Sequence, residues 1–199
     1  MKERWCILIV LLLSFTACNS DKARNEDGQS PYAHKVSQGN PHFDLPDIQQ
    51  NGELIVLTLY GPESYFEFRG EDFGLQFMIA RQYAKSIGAS IRVDVSRDMK
   101  DLVTKLQNGE GDFVAFQIDK VDSLSSLLDY VGEKELFTFM DSLSRQRKDD
   151  SLRPRPRAAW AVRKDSPLLS ASLSQWMTTH QKEFFDYTTI RVKSGRGRT

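Results

Sequence analysis

Cysteine is almost missing from this chain of 199 residues: there are two, Cys6 and Cys18, both within the first eighteen positions. Beyond Cys18 no thiol remains, which excludes an internal disulfide framework and a cysteine-built metal site in the body of the chain. Histidine is as sparse. The three present (His34, His42 and His180) lie far apart in sequence, so no zinc-ligand spacing arises and neither a metal nor another cofactor is expected. No apolar run reaches the length a membrane-spanning helix needs. Neither a Gly-x-Ser-x-Gly elbow nor a phosphate-binding glycine loop is present, which removes two common enzyme signatures. Excess charge of either sign is also lacking, with 27 Lys plus Arg against 27 Asp plus Glu.

What is present begins with Lys2 and Arg4, an apolar run over 5–15, and Thr16-Ala17-Cys18. The run is too short to span a bilayer but suits the core of a signal peptide. Small residues before a cysteine, then polar Asn19-Ser20-Asp21, resemble the lipobox of bacterial lipoproteins. Phe15 departs from it, standing where that family prefers a branched aliphatic residue. The resemblance implies cleavage before Cys18, acylation of its sulfur, and membrane lipid as a partner. The protein would then be held in the bacterial envelope, facing the periplasm. Residues 1–17 would be the signal peptide and 18–48 a polar, flexible tether.

Charge is uneven along the chain. From Arg145 onward there are thirteen basic and five acidic residues, a net of +8. Such a basic stretch suits anionic lipid or an envelope polyanion, or it is simply a solvated face. Secretion argues against a nucleic-acid partner.

The central block reads strand, helix, strand, helix, strand. The strand runs are 54–59, 91–95 and 112–118, rich in β-branched and aromatic residues and bounded by turn residues. Between them, Phe77, Ala80, Ala84 and Ile87 recur at helical spacing, with Gly88 placed as a left-handed cap. A second helix is marked by Met99, Leu102, Val103 and Leu106, with Asp98 as its N-cap. Alternation of this kind predicts a parallel sheet with right-handed crossovers and a ligand site beyond the carboxyl ends of its strands.

Several stretches then carry a family resemblance: Asn51-Gly52-Glu53-Leu54-Ile55-Val56, Phe73-Gly74-Leu75-Gln76-Phe77, Ala84-Lys85-Ser86-Ile87-Gly88, and Leu106-Gln107-Asn108-Gly109-Glu110-Gly111-Asp112. In order and spacing they resemble the first lobe of family 3 extracellular solute-binding proteins. More narrowly, they are similar to the N-terminal domain of membrane-bound lytic transglycosylase F. The run Ala158-Ala159-Trp160-Ala161-Val162-Arg163-Lys164-Asp165-Ser166 fits the strand that returns from the second lobe, with a helix over 168–180 carrying Leu169, Leu173, Trp176 and Met177 on one face.

The resemblance implies an α/β fold, a single lobe of the type II periplasmic-binding-protein kind. Its sheet would be mostly parallel with one antiparallel return strand, flanked by helices. Residues 49–118 would form the first part of the lobe and 158–190 its return strand and last helix. A shortened insertion, 119–157, would replace the second lobe, with helices near 123–130 and 133–144 and an extended connector over 145–157. A basic tail would follow at 191–199.

Amino-acid-binding members of the family carry a threonine and an arginine just past the third strand, the arginine forking onto a ligand carboxylate. Here that stretch is Asp119-Lys120-Val121-Asp122-Ser123-Leu124, without arginine. Lys120 offers a point charge instead. The candidate ligand-binding residues are therefore Tyr60, Tyr65, Phe66, Arg69 and Lys120, with a surface or packing role for all five as the alternative. No catalytic residue is expected, because a transglycosylase needs a glutamate in a separate helical domain. The expected function is a non-enzymatic envelope binding or regulatory module for peptidoglycan fragments or small solutes, completed by a second copy or an envelope protein. The alternatives are a separated part of a transglycosylase F-like enzyme and a structural lipoprotein without a small ligand.

Overall fold

The computed structural model describes residues 43–189. The signal segment, Cys18, most of the tether and the basic tail lie outside the described residues.

The described chain opens with helix α1 (Leu45–Asn51) and strand β1 (Glu53–Thr58). A hairpin of β2 (Phe66–Phe68) and β3 (Glu71–Phe73) precedes helix α2 (Leu75–Ser86). Then come β4 (Ser90–Val95), α3 (Met99–Gln107), β5 (Phe113–Asp119), the short α4 (Asp122–Ser125) and β6 (Leu128–Val131). Helix α5 (Glu133–Arg147) leads through a 3-10 turn to β7 (Ala158–Arg163), and α6 (Pro167–His180) and α7 (Phe184–Thr188) close the lobe.

The sheet order is β4-β1-β5-β7-β6. Strands β4 and β5 pair in parallel on either side of β1. β7 runs antiparallel to both β5 and β6, so it is the single reversed strand of this sheet, as the family resemblance implies. The three expected strands and both expected helical stripes are present. Gly88 takes φ +77° after α2, and Asp98 caps α3 by accepting from Asp101 N–H at 2.8 Å.

Burial on both faces follows from the side-chain alternation of a sheet covered twice. Leu54, Val56, Phe113, Trp160 and Val162 face one side, where Ile79, Phe139, Leu173, Trp176 and Phe184 cover them. Leu57, Val114, Ile118 and Ala161 face the other and meet Leu102 and Leu106 of α3. On the first face the Trp160 indole N–H donates to Gln76 Oε1 at 2.7 Å, so neither buried polar atom goes unpaired.

Three expectations change. Residues 123–130 are not one helix: α4 stops at Ser125 and β6 follows. Leu128 and Tyr130 alternate with Asp129 and Val131, and the outer edge of β7 offers the hydrogen bonds that make this alternation a strand. Residues 44–48, expected in the tether, are ordered. Asp44 and Asp47 form a reciprocal capping box around a helix with Pro46 in its first turn, and Ile48 is fully buried. Finally, 145–147 belong to α5, so the extended connector begins later.

Candidate functional site

The carboxyl ends of β1, β4 and β5 open on one edge of the sheet. The loop after β1 is anchored there by three sets of bonds. Ser64 Oγ donates to Leu59 O at 2.7 Å, and Gly61 N–H donates to Tyr65 O at 2.8 Å. The loop carbonyls of Glu63 and Ser64 also accept from Gln76 and Phe77 N–H at 3.0 and 3.1 Å. These last two bonds satisfy N–H groups that α2 otherwise leaves open, since its N-cap, Gly74, has no side chain. Only glycine fits there: φ is +129° and a Cβ would lie 2.1 Å from Ser64 O.

On this loop Tyr60 is 67% exposed and meets Tyr65 edge-on at 6.4 Å between ring centroids. Tyr65 packs edge-on against Phe77 at 5.4 Å and donates its hydroxyl to Asp72 Oδ1 at 2.6 Å. Burial first, and then the Asp72 hydrogen bond, push the Tyr65 phenol up to about 12. Phe66 stacks on Phe73 across the hairpin at 5.6 Å. Arg69 sits at the hairpin tip with positive φ, its guanidinium 5.1 Å from the Phe68 ring. Lys120 follows β5, bonds Glu133 at 2.8 Å and lies 5.6 Å from the Tyr130 ring. Of the five candidates, Tyr60 and Tyr65 are thus in contact. Phe66 and Arg69 belong to the hairpin, and Lys120 is already paired.

Residues absent from the sequence-based set also reach this edge. Arg155, from the connector, donates to the main-chain carbonyl of Gln117. It lies 3.9 Å from Asp119 and 5.5 Å from the Phe116 ring. An arginine is therefore held at the carboxyl end of β5, supplied from before β7 rather than from just after β5. Pro154 and Pro156 on either side of it were the available signal, since proline favours extended chain. Gln117 itself is 2% exposed, and its Nε2 makes no hydrogen bond among the described residues.

Beside the edge, a cavity of about 530 Å³ lies between the loop after β1, the hairpin and the turn after α5; Glu63, Phe66, Phe73, Met78, Asp149 and Leu152 are among its walls. Burial raises the Glu63 carboxyl above its ordinary value, Arg155 opposes this, and Asp149 adds to it.

No family model matches the chain. Among solved structures, a point mutant of domain 1 from TmArgBP in its arginine-bound form superposes with a TM-score of 0.55 at 14% identity. It covers 69% of this chain and 98% of its own. An amino acid ABC transporter substrate-binding protein, AbpA from Streptococcus pneumoniae, bound to L-arginine, gives 0.53 at 13%, covering 72% of this chain and 95% of that one. An ancestral cyclohexadienyl dehydratase gives 0.56 at 14%, covering 72% and 93%. The fold is that of a single lobe of a periplasmic solute-binding protein. At these identities the likeness establishes the fold alone. Among the described residues, no helix is long and apolar enough to cross a membrane.

Proposed function

We propose that this chain is a lipid-anchored envelope lipoprotein whose lobe, without catalysis, binds a small solute or a peptidoglycan fragment at the carboxyl edge of its sheet. The observation that carries the reading is the exposed Tyr60 ring on the anchored loop after β1, at the edge where open α/β sheets take ligands. Support for one-lobe binding comes from the arginine-bound isolated domain 1 that shares the fold. A one-sided site buries less of its ligand, so affinity is modest unless a second copy or an envelope protein adds a wall. The stretch 119–124 has no arginine to fork onto an α-carboxylate, and Arg155 at that edge is already engaged by Gln117 O and Asp119, which favours ligands held by stacking on Tyr60 and Tyr65.

Thermal melting of the full chain in detergent, against muropeptides, amino acids and sugars, tests this. A ligand should raise the melting temperature of the wild type and lose that effect in Tyr60→Ala. A flat response across the panel would leave a structural lipoprotein. A lytic band from the chain alone in peptidoglycan zymography would overturn the non-catalytic reading and favour the transglycosylase F-like one. For the anchor, Cys18→Ser should abolish labelled palmitate incorporation and release the protein from membranes; full membrane retention would refute the lipid anchor.

A further inference from the structure

The cavity beside α2 is separate in chemistry from the aromatic edge. Phe66 and Phe73 from the hairpin, Met78 from α2 and Leu152 from the turn after α5 give it apolar walls. Glu63 stands among them half-buried, and its carboxylate makes no hydrogen bond or ion pair among the described residues. Arg155 acts on it only from beyond contact distance. A carboxylate partly out of water without a partner is unfavourable unless a cation or donor meets it. Asp149, in the same wall, adds negative charge that partly offsets the pull of Arg155 on Glu63, and its Oδ1 accepts from Ser151 N–H and Oγ. Arg147 also lines the cavity, but it and Asp149 are both exposed, so Glu63 is the one charged wall group that is partly withdrawn from water.

An anion would meet the unpaired Glu63 carboxylate with the wrong sign. A neutral apolar molecule would leave Glu63 unmatched. We propose that this cavity binds a small aliphatic cation, an amine or guanidinium on a short methylene chain, with its charge on Glu63 and its chain against Phe66, Phe73, Met78 and Leu152. Such a ligand matches what small-molecule sites generally present, a mostly apolar enclosure with a few placed polar groups. Tyr60, Tyr65 and Lys120 are not among the cavity walls, so the site does not depend on the edge binding anything.

Isothermal titration of the full chain in detergent with cadaverine and agmatine, and with 1-pentanol as the neutral control, tests the proposal. The expected result is saturable binding of at least one cationic probe, weakened at least tenfold in Glu63→Gln and unchanged in Tyr60→Ala. Glu63→Gln is isosteric and removes no existing bond, so its fold should persist, as circular dichroism will check. Absence of saturable binding by both cations, equal affinity in Glu63→Gln, or pentanol binding as well as cadaverine would each overturn it. Binding lost in Tyr60→Ala but not in Glu63→Gln would also overturn it, and would assign the amine to the sheet edge instead.

Discussion

Asp44 Oδ1 accepts the main-chain N–H of Leu169 at 2.7 Å, joining residues 125 positions apart. The other oxygen, Oδ2, accepts Leu168 N–H at 2.8 Å, and Oδ1 also takes Leu45 N–H at 2.8 Å. One buried carboxylate therefore caps the starts of α1 and α6 together. Ser166 Oγ and the Arg163 guanidinium add bonds to Phe43 O at 2.9 and 3.3 Å, which ties the entry of the lobe to its last helices.

Asp44→Ala removes both caps at once. At about 1–1.5 kcal/mol per cap the loss should come to roughly 2–3 kcal/mol, read as a lower urea midpoint with little change in slope. A loss below about 0.5 kcal/mol would mean that the two helix starts are held by packing alone.

Asp112 makes stability depend on pH. Its Oδ2 accepts Ile55 N–H at 2.7 Å, but burial outweighs that bond and the pull of Arg163, pushing its pKa from 3.8 up to about 6. The native state therefore holds the proton more tightly than the unfolded chain. This group's contribution is full below about pH 4 and is lost as pH rises through 6, by on the order of 2–3 kcal/mol in total. Urea midpoints from pH 4 to 8 should fall for the wild type and flatten in Asp112→Asn. Parallel curves for the two proteins would contradict the assignment.

Trp160 and Gln76 should show strong coupling. Trp160→Phe leaves Gln76 Oε1 buried without its donor, which costs about 1–3 kcal/mol beyond the smaller ring. Gln76→Met in the Trp160→Phe background should recover part of that loss, because removing both partners leaves no orphan. A double-mutant cycle measures the term, and strict additivity would rule it out.

Arg155 should control the connector. Its bonds to Gln117 O and Asp119 pin the segment before β7 to the end of β5. In Arg155→Gln, limited trypsin digestion should cut the Arg157–Ala158 bond faster than in the wild type. Equal cutting rates would show that the pairing of Lys120 N–H with Arg157 O, at 2.9 Å, suffices to hold the segment.

Long periodic elements were legible before folding. The strands β1, β4 and β5 and the helices α2, α3 and α6 follow from alternation and from stripes such as Leu169, Leu173, Trp176 and Met177. Short elements were less so. In β6 four residues alternate, too few to separate a strand from a helix without the open edge of β7 beside them. The hairpin carried a two-residue Arg69-Gly70 turn with both φ positive, but its flanking strands are three residues each. Asp44 to Asp47 carried a capping-box signal hidden by the polar segment before it.

The same division holds for the candidate site. Tyr60 and Lys120 could be placed at the sheet edge by counting from the ends of predicted strands. The meeting of Glu63 with Arg155 and Asp149 could not be found that way, because these come from different segments and approach only when the turn after α5 packs beside the loop after β1. Sequence alone determined the alternating strands and helices of a parallel α/β lobe, because burial of a face is written in local periods of two and 3.6 residues; the antiparallel return strand was implied only by the family resemblance. Which charges face one another, which carboxylate caps two helices, and which is left beside a cavity without a partner were decided by tertiary packing. Those relations join residues whose separation in sequence carries no period at all.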